Sequence, residues 1–187
     1  MISLEILMSE QIWNTLKLPV TMVAIIAPLV IVVLIVRYNR IIKRLKEAQQ
    51  TNQKIIEKRT EVFGRVGPQL HEILSFFLYT GNWKKLAPID MLDLKSKLDK
   101  DITINAPLFS DDLLATYQDF MQLCFISYSG WEQEEKIKSQ YILRQEKSVG
   151  WDSEWIDYFD TNNVVEGIKL KESYDKLMEC FQKELNK

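Results

Sequence analysis

The chain has 187 residues, and its 24 Lys and Arg against 26 Asp and Glu leave a net charge of −2. With 47% apolar and 27% charged residues it is not disordered throughout and can bury a core. Two cysteines exclude a disulfide scaffold, and a single histidine excludes a multi-histidine zinc site.

The first seventeen residues place Leu4, Met8, Ile12 and Leu16 at i, i+4 steps, with Trp13 suited to a lipid headgroup interface. They read as a short extracytoplasmic extension of the apolar run beginning at Leu18. Leu18–Val36 is a run of nineteen residues without a charge, and Thr21 is its only polar side chain. At about 1.5 Å per residue a helix of this length spans roughly 28 Å, close to the hydrocarbon core of a bilayer. The sequence therefore predicts a transmembrane helix over 18–36. A cleaved leader needs a basic start, a shorter apolar core and a small-residue cleavage site. Here Glu5 and Glu10 precede the run and RYNRIIKRLK comes after it, so the expectation is an uncleaved signal-anchor. Pro28 lies mid-run and is a hinge candidate, although proline is also tolerated in membrane helices without any such role.

Arg37, Arg40, Lys43, Arg44 and Lys46 come after the span, whereas Lys17 alone precedes it. The positive-inside rule then puts the N-terminus outside and the C-terminal domain in the cytoplasm, as in a single-pass protein of the inner membrane. Both cysteines would lie in a reducing compartment.

Residues 37–66 carry nine Lys and Arg against three Glu, net +6, and read as one basic juxtamembrane stalk helix ended by Gly64–Pro68. Anionic lipid explains that charge without a nucleic acid. A heptad frame runs through Tyr38, Leu45, Asn52, Arg59 and Val66 at one position and Ile41, Ala48, Ile55 and Val62 at the other. Leu45, Asn52, Ile55 and Val62 are therefore candidates for a coiled-coil homodimer, with Asn52 where a buried amide fixes register. The bland alternative is a stripe packed on the chain's own domain.

Residues 67–187 hold fourteen Lys and Arg against twenty-one acids, net −7, which argues against a nucleic-acid-binding face. Pro68 suits the first turn of a new helix, whose stripe is Leu70, Ile73, Leu74 and Phe77 and which Gly81 can cap. Pro88 opens a second helix through Lys100, and DITINAPLF reads as a loop. Ser110 is an N-cap for a helix from Asp111 to about Tyr128, with Gly130–Trp131 as a Schellman ending. Pairs Glu132–Lys136 and Glu134–Lys138 suggest an exposed helix over 132–147. Asp152 caps a short helix, and Leu170, Tyr174, Leu177, Met178, Phe181 and Leu185 stripe the last one. Alternation of strand type is nearly absent, so the fold class is all-α: an N-terminal transmembrane helix, a long juxtamembrane helix and a cytoplasmic helical bundle. The segments are 1–17, 18–36, 37–66 and 67–187.

Motifs for phosphate-cradling loops, nucleophile elbows and zinc helices are missing. His71 with Cys124 could pair thiol and imidazole, but Cys124 falls on an apolar stripe where an inert thiol is usual. The carboxylates Asp90, Asp93, Asp99, Asp101, Asp111 and Asp112 are a weak alternative for a metal site, since most have work as caps and first-turn charges. No catalytic residue, cofactor or metal is assigned. Trp83, Lys84 and Lys85 form the most plausible exposed patch for a partner, while the other tryptophans read as core plugs. The function expected is a non-enzymatic, membrane-anchored interaction or scaffold module whose partners are membrane lipid, a cytoplasmic protein and a second copy. The alternative is a membrane-perturbing effector of the toxin or phage-defence type, gated by its cytoplasmic domain.

Overall fold

In a computed structural model the backbone of residues 2–126 and 135–186 and the side chains of residues 31–126 and 135–186 are described. Among the described residues the fold is all-α apart from one two-residue strand pair. Helix α1 runs from Ile2 to Phe77 without interruption. The chain divides into two compact units, Met1–Asn52 and Gln53–Lys187. Among the described residues no helix is long and apolar enough to cross a membrane. Residues 18–30 of the apolar run, Pro28 included, lie outside the residues whose side chains are described.

The break expected at Gly64–Pro68 does not occur, and the physical reason is burial. Val62, Val66, Leu70, Ile73 and Phe77 recur at helical spacing and are all nearly inaccessible. Each such side chain contributes about 1.5–3 kcal/mol, against about 3 kcal/mol for a proline in a helix interior. Gly64 and Pro68 both face water, so the Gly64 carbonyl that Pro68 cannot bond is open to solvent. Gly67 leaves room for the Phe63 ring, which a Cβ there would meet tightly at 3.3 Å. Pro68→Ala restores the missing N–H, so it should stabilise the chain by about 1–3 kcal/mol. A first-turn proline would give no such gain, and the urea midpoint distinguishes the two.

α1 ends in a Schellman arrangement: Thr80 N–H donates to Ser75 O at 3.0 Å and Tyr79 N–H to Phe76 O at 3.4 Å. The residue that closes this cap is the left-handed Tyr79, with φ 57°, and the expected Gly81, also left-handed at φ 61°, turns the chain two residues later. Helix α2 is Pro88–Asn105, and Asp90 accepts the Ala87 N–H at 3.0 Å as half of a capping box. It runs into the segment expected as a loop because Ile102 is buried. Helix α3 is Asp111–Cys124, with Ser110 Oγ accepting the Leu113 N–H as expected. It stops short of Tyr128 because Phe125–Ile126 (β1) pairs antiparallel with Lys136–Ile137 (β2), Phe125 opposite Ile137. β2 also stands within the exposed helix expected over 132–147; of its described residues, 135–147, only α4, Ile142–Lys147, is helical. Glu132, Glu134 and the Gly130–Trp131 ending lie outside the described residues. Asp152 caps a short 3-10 segment, accepting the Glu154 N–H at 3.0 Å. Helix α5, Gly167–Leu185, closes the domain, with Gly167 placed so that a Cβ would meet Leu78 at 3.1 Å.

The core of the second unit is built from α1, α2, α3 and α5. Phe181 of α5 meets Phe63 at 5.1 Å and Phe109 at 5.9 Å between ring centroids. Arg59 ties α1 into this core: its Nη2 lies 3.0 Å from Glu184 Oε2, and its Nε donates to Leu108 O at 2.7 Å. On α2, the 5% exposed Lys95 holds Asp99 and Glu135, both at 2.9 Å, and Tyr117 donates to Asp99 at 2.7 Å.

Burial lowers the Lys95 pKa, but hydrogen bonds to Asp99 and Glu135 outweigh it, so the ammonium ends above its ordinary value of 10.5. Burial, and then Asp99, push the Tyr117 phenol above its ordinary 10.0. Both groups bind their proton more tightly when folded. Their stabilisation is thus fully present below pH 10.0 and is lost as pH rises through the folded pKa values. Tyr117→Phe should shrink the loss of urea resistance between neutral and strongly alkaline pH. An unchanged loss would contradict the assignment.

Candidate functional site

Helix α4 has the sequence ILRQEK, which by composition should face its Ile and Leu inward and its Arg outward. The structure inverts it: Ile142 is 57% and Leu143 40% exposed, while Arg144 is 2% exposed. The cause is an aromatic cage. The guanidinium carbon lies 3.5 Å from the Phe76 ring centroid, 4.5 Å from Tyr79 and 5.7 Å from Trp83. A desolvated cation over an aromatic face is held by about 2 kcal/mol. Nη2 donates to the Phe76 carbonyl at 2.6 Å, whereas Nε and Nη1 have no hydrogen-bond partner. No carboxylate pairs with Arg144 among the described residues. Burial pushes its pKa down to about 10, with the Tyr79 phenol acting in the opposite direction, so it stays charged at neutral pH.

Each wall of the cage is positioned by the end of α1. Phe76 is its last turn, and the left-handed Tyr79 turns the chain back. That conformation costs a side chain about 1–2 kcal/mol. Tyr79 is held by its hydroxyl, which donates to Gln140 O at 3.2 Å, and by an edge contact with Trp83 at 5.2 Å. Strained backbone persists where its surroundings over-determine it. The Val149 N–H donates to Lys84 O at 3.0 Å, joining the chain after α4 to the Trp83–Lys85 turn. Trp151 stacks on Phe159 at 6.2 Å and meets Trp155 at 5.5 Å, and its buried Nε1 is unbonded.

Of the partner candidates, Trp83 is corrected: it is 7% exposed, wedged between Tyr79 and Arg144, and so is no exposed anchor. Lys84 and Lys85 are exposed as expected. Of the oligomerisation candidates, Leu45 is 60% exposed and Asn52 is exposed, while Ile55 is half-buried. Val62 is corrected: at 2% exposure it belongs to the chain's own core and cannot face a second copy.

Cys124 is fully buried, its thiol pushed well above the ordinary value by burial, and the exposed His71 lies against Tyr174 at 6.2 Å. Among the described residues no three His, Cys, Asp or Glu side chains come together as a metal site. The aspartates have separate partners: Asp90 caps α2, Asp99 holds Lys95 and Tyr117, and Asp112 lies 3.6 Å from the Cys180 thiol. A surface groove of about 530 Å³ between α3 and α5 mixes Lys138, Lys169 and Lys176 with Asp119 and Glu172, and Lys138 is already bonded to Gln122 O at 2.6 Å.

Among the described residues around Arg144 no nucleophile stands with a base poised on it. The arrangement supplies a buried positive charge beneath a surface that carries Lys84, Lys85 and Lys147. No protein-family model, no curated protein and no solved structure matches this chain.

Proposed function

We propose that the chain is a membrane-anchored helical interaction module, non-enzymatic, with one N-terminal span and its packed domain in the cytoplasm. One observation carries this reading. Ile31–Val36 are six consecutive apolar residues, each 44–59% exposed, and at about 100° per residue they cover every side of the helix. A second copy or a folded domain covers one stripe, whereas lipid covers a helix all round. The run leads directly into Arg37, Arg40, Lys43, Arg44 and Lys46, which have no ion pair among the described residues and suit an anionic leaflet. Alkaline carbonate should leave the chain in the membrane pellet, and a reporter fused after Lys187 should be active only if it folds in the cytoplasm. Release into the supernatant, or activity of a reporter that needs the outside, would overturn the reading.

The stalk supports pairing of two copies over a shorter stretch than the heptad frame implied. Tyr38, Ile41 and Leu45 are 58–65% exposed, and Asn52 is exposed too. On a helical projection they share one side with Ala48; Arg40, Lys43 and Lys46 point away from it, and Arg37 and Arg44 flank it, where a parallel second copy would set the uncharged Ile42 and Gln49 opposite them. Ala48→Cys, with Cys124 and Cys180 replaced by alanine, should crosslink as a dimer in oxidised membranes, and Asn52→Ile should raise the yield. No crosslink in either background would make the chain a monomer.

A further inference from the structure

Among the described residues of the packed unit seven large apolar side chains are at least 40% exposed, and three of them, Ile142, Leu143 and Val149, fall within eight residues of chain. Single exposed apolar side chains are ordinary. These differ because Ile142 and Leu143 sit on a helix that has turned its arginine inward and Val149 lies just after that helix. The Val149–Lys84 hydrogen bond brings them beside the Trp83–Lys85 turn. Residues 82–86 and 141–151 together carry Lys84, Lys85, Arg144 and Lys147 against the single acid Glu146. These two stretches are net +3 in a domain of net −7, with the exposed Asp152 next in the chain. Lys85 and Lys147 have no ion pair among the described residues, and Lys84 only lies 5.8 Å from the Trp83 ring.

We propose that Ile142, Leu143 and Val149, rimmed by Lys84, Lys85 and Lys147, dock an acidic segment of a partner protein. The inference rests on the reading of the chain as an interaction module and names the surface and the partner's chemistry. The segment's apolar side chains seat on the three aliphatic residues, and its carboxylates meet the lysines. Arg144 adds positive charge from below, since its Nε and Nη1 have no hydrogen-bond partner and no carboxylate pairs with it among the described residues. Lysine rims act on encounter and partner choice more than on tightness, so binding should weaken with salt. A bilayer also joins apolar and anionic groups, but it is the less fitting occupant. It is broad enough to meet the whole acidic domain, whereas a short segment lies within about 8 Å of the patch, the screening length at physiological salt.

The test uses the full chain in its own membranes, with a photoreactive benzophenone side chain in place of Leu143 or, as a control, of Ile104, which is 65% exposed on α2. Irradiation should give a protein adduct at Leu143 and not at Ile104. Its crosslinked peptide should be net acidic, and Lys84→Glu with Lys85→Glu should lower the yield about tenfold at unchanged circular dichroism. Lipid as the only adduct, adduct to a second copy, a neutral or basic peptide, or yield indifferent to charge reversal would overturn the proposal. Adducts at Ile104 alone would remove this surface but leave the interaction module standing. No adduct at either position would count against both, and the carbonate pellet reports the anchor separately.

Discussion

A fragment of residues 53–187 is expected to fold by itself, whereas a fragment of residues 67–187 is expected to remain largely unfolded. The shorter fragment looks complete by sequence, since Gly64–Pro68 reads as a boundary. It lacks Val62 and Val66, which are 2% and 0% exposed, and Phe63, which meets Phe181 at 5.1 Å. Burying these three contributes about 4–7 kcal/mol. It also lacks Arg59, which lies 3.0 Å from Glu184 and bonds the Leu108 carbonyl. Removing one partner of a buried ion pair costs about 3–5 kcal/mol more. Together these rival the whole stability of a domain, about 5–15 kcal/mol. Circular dichroism and urea titration should show a cooperative helical transition for 53–187 and none for 67–187. Equal stability of the two fragments would mean that the last turns of α1 before Gly67 are not part of the core.

Arg144 should separate volume from charge. Arg144→Ala empties the aromatic cage and removes the stacking on Phe76, a loss of about 3–5 kcal/mol. Arg144→Met keeps most of the volume and removes a buried cation that no carboxylate balances among the described residues. Replacing such a charge by an apolar side chain is neutral or stabilising by about 1–4 kcal/mol. The Phe76 carbonyl still accepts from the Tyr79 N–H. The expected order of urea midpoints is Arg144→Met at or above the natural chain, with Arg144→Ala far below. If Arg144→Met falls as low as Arg144→Ala, the guanidinium hydrogen bond rather than the packing holds this region.

Periodicity carried much of the fold. The stripe of α5 and the caps at Ser110 and Asp152 stand where the residues place them, because those signals are local and burial reinforces them. The errors arise where tertiary packing outweighs a local preference. Gly64 and Pro68 are breakers, yet both sit on the solvent side of a helix whose opposite side is core. Glu–Lys spacing suggested a helix over 132–147, but such pairs are worth only a few tenths of a kcal/mol, about 0.2–0.5 each. Glu135 is drawn to Lys95 and Ile137 into the core instead.

The candidate site was half legible. Lys84 and Lys85 were singled out by their place after a turn. Trp83 was read as exposed because its burial depends on an arginine about sixty residues away. No local pattern marks Arg144 itself: an arginine beside Ile142 and Leu143 looks like an ordinary surface charge. Its only sequence trace is the wealth of aromatic residues available to enclose it.

The anchor is the claim on which the rest depends, and cysteine accessibility tests it most directly. With Cys124 and Cys180 replaced by alanine, single cysteines are introduced as Val33→Cys and Glu47→Cys and treated in intact membranes with a membrane-impermeant maleimide. The cysteine at 47 should react only from the cytoplasmic side, and the cysteine at 33 should stay unlabelled from both sides until detergent and denaturant are added. Labelling at 33 as fast as at 47 in intact membranes would contradict the account.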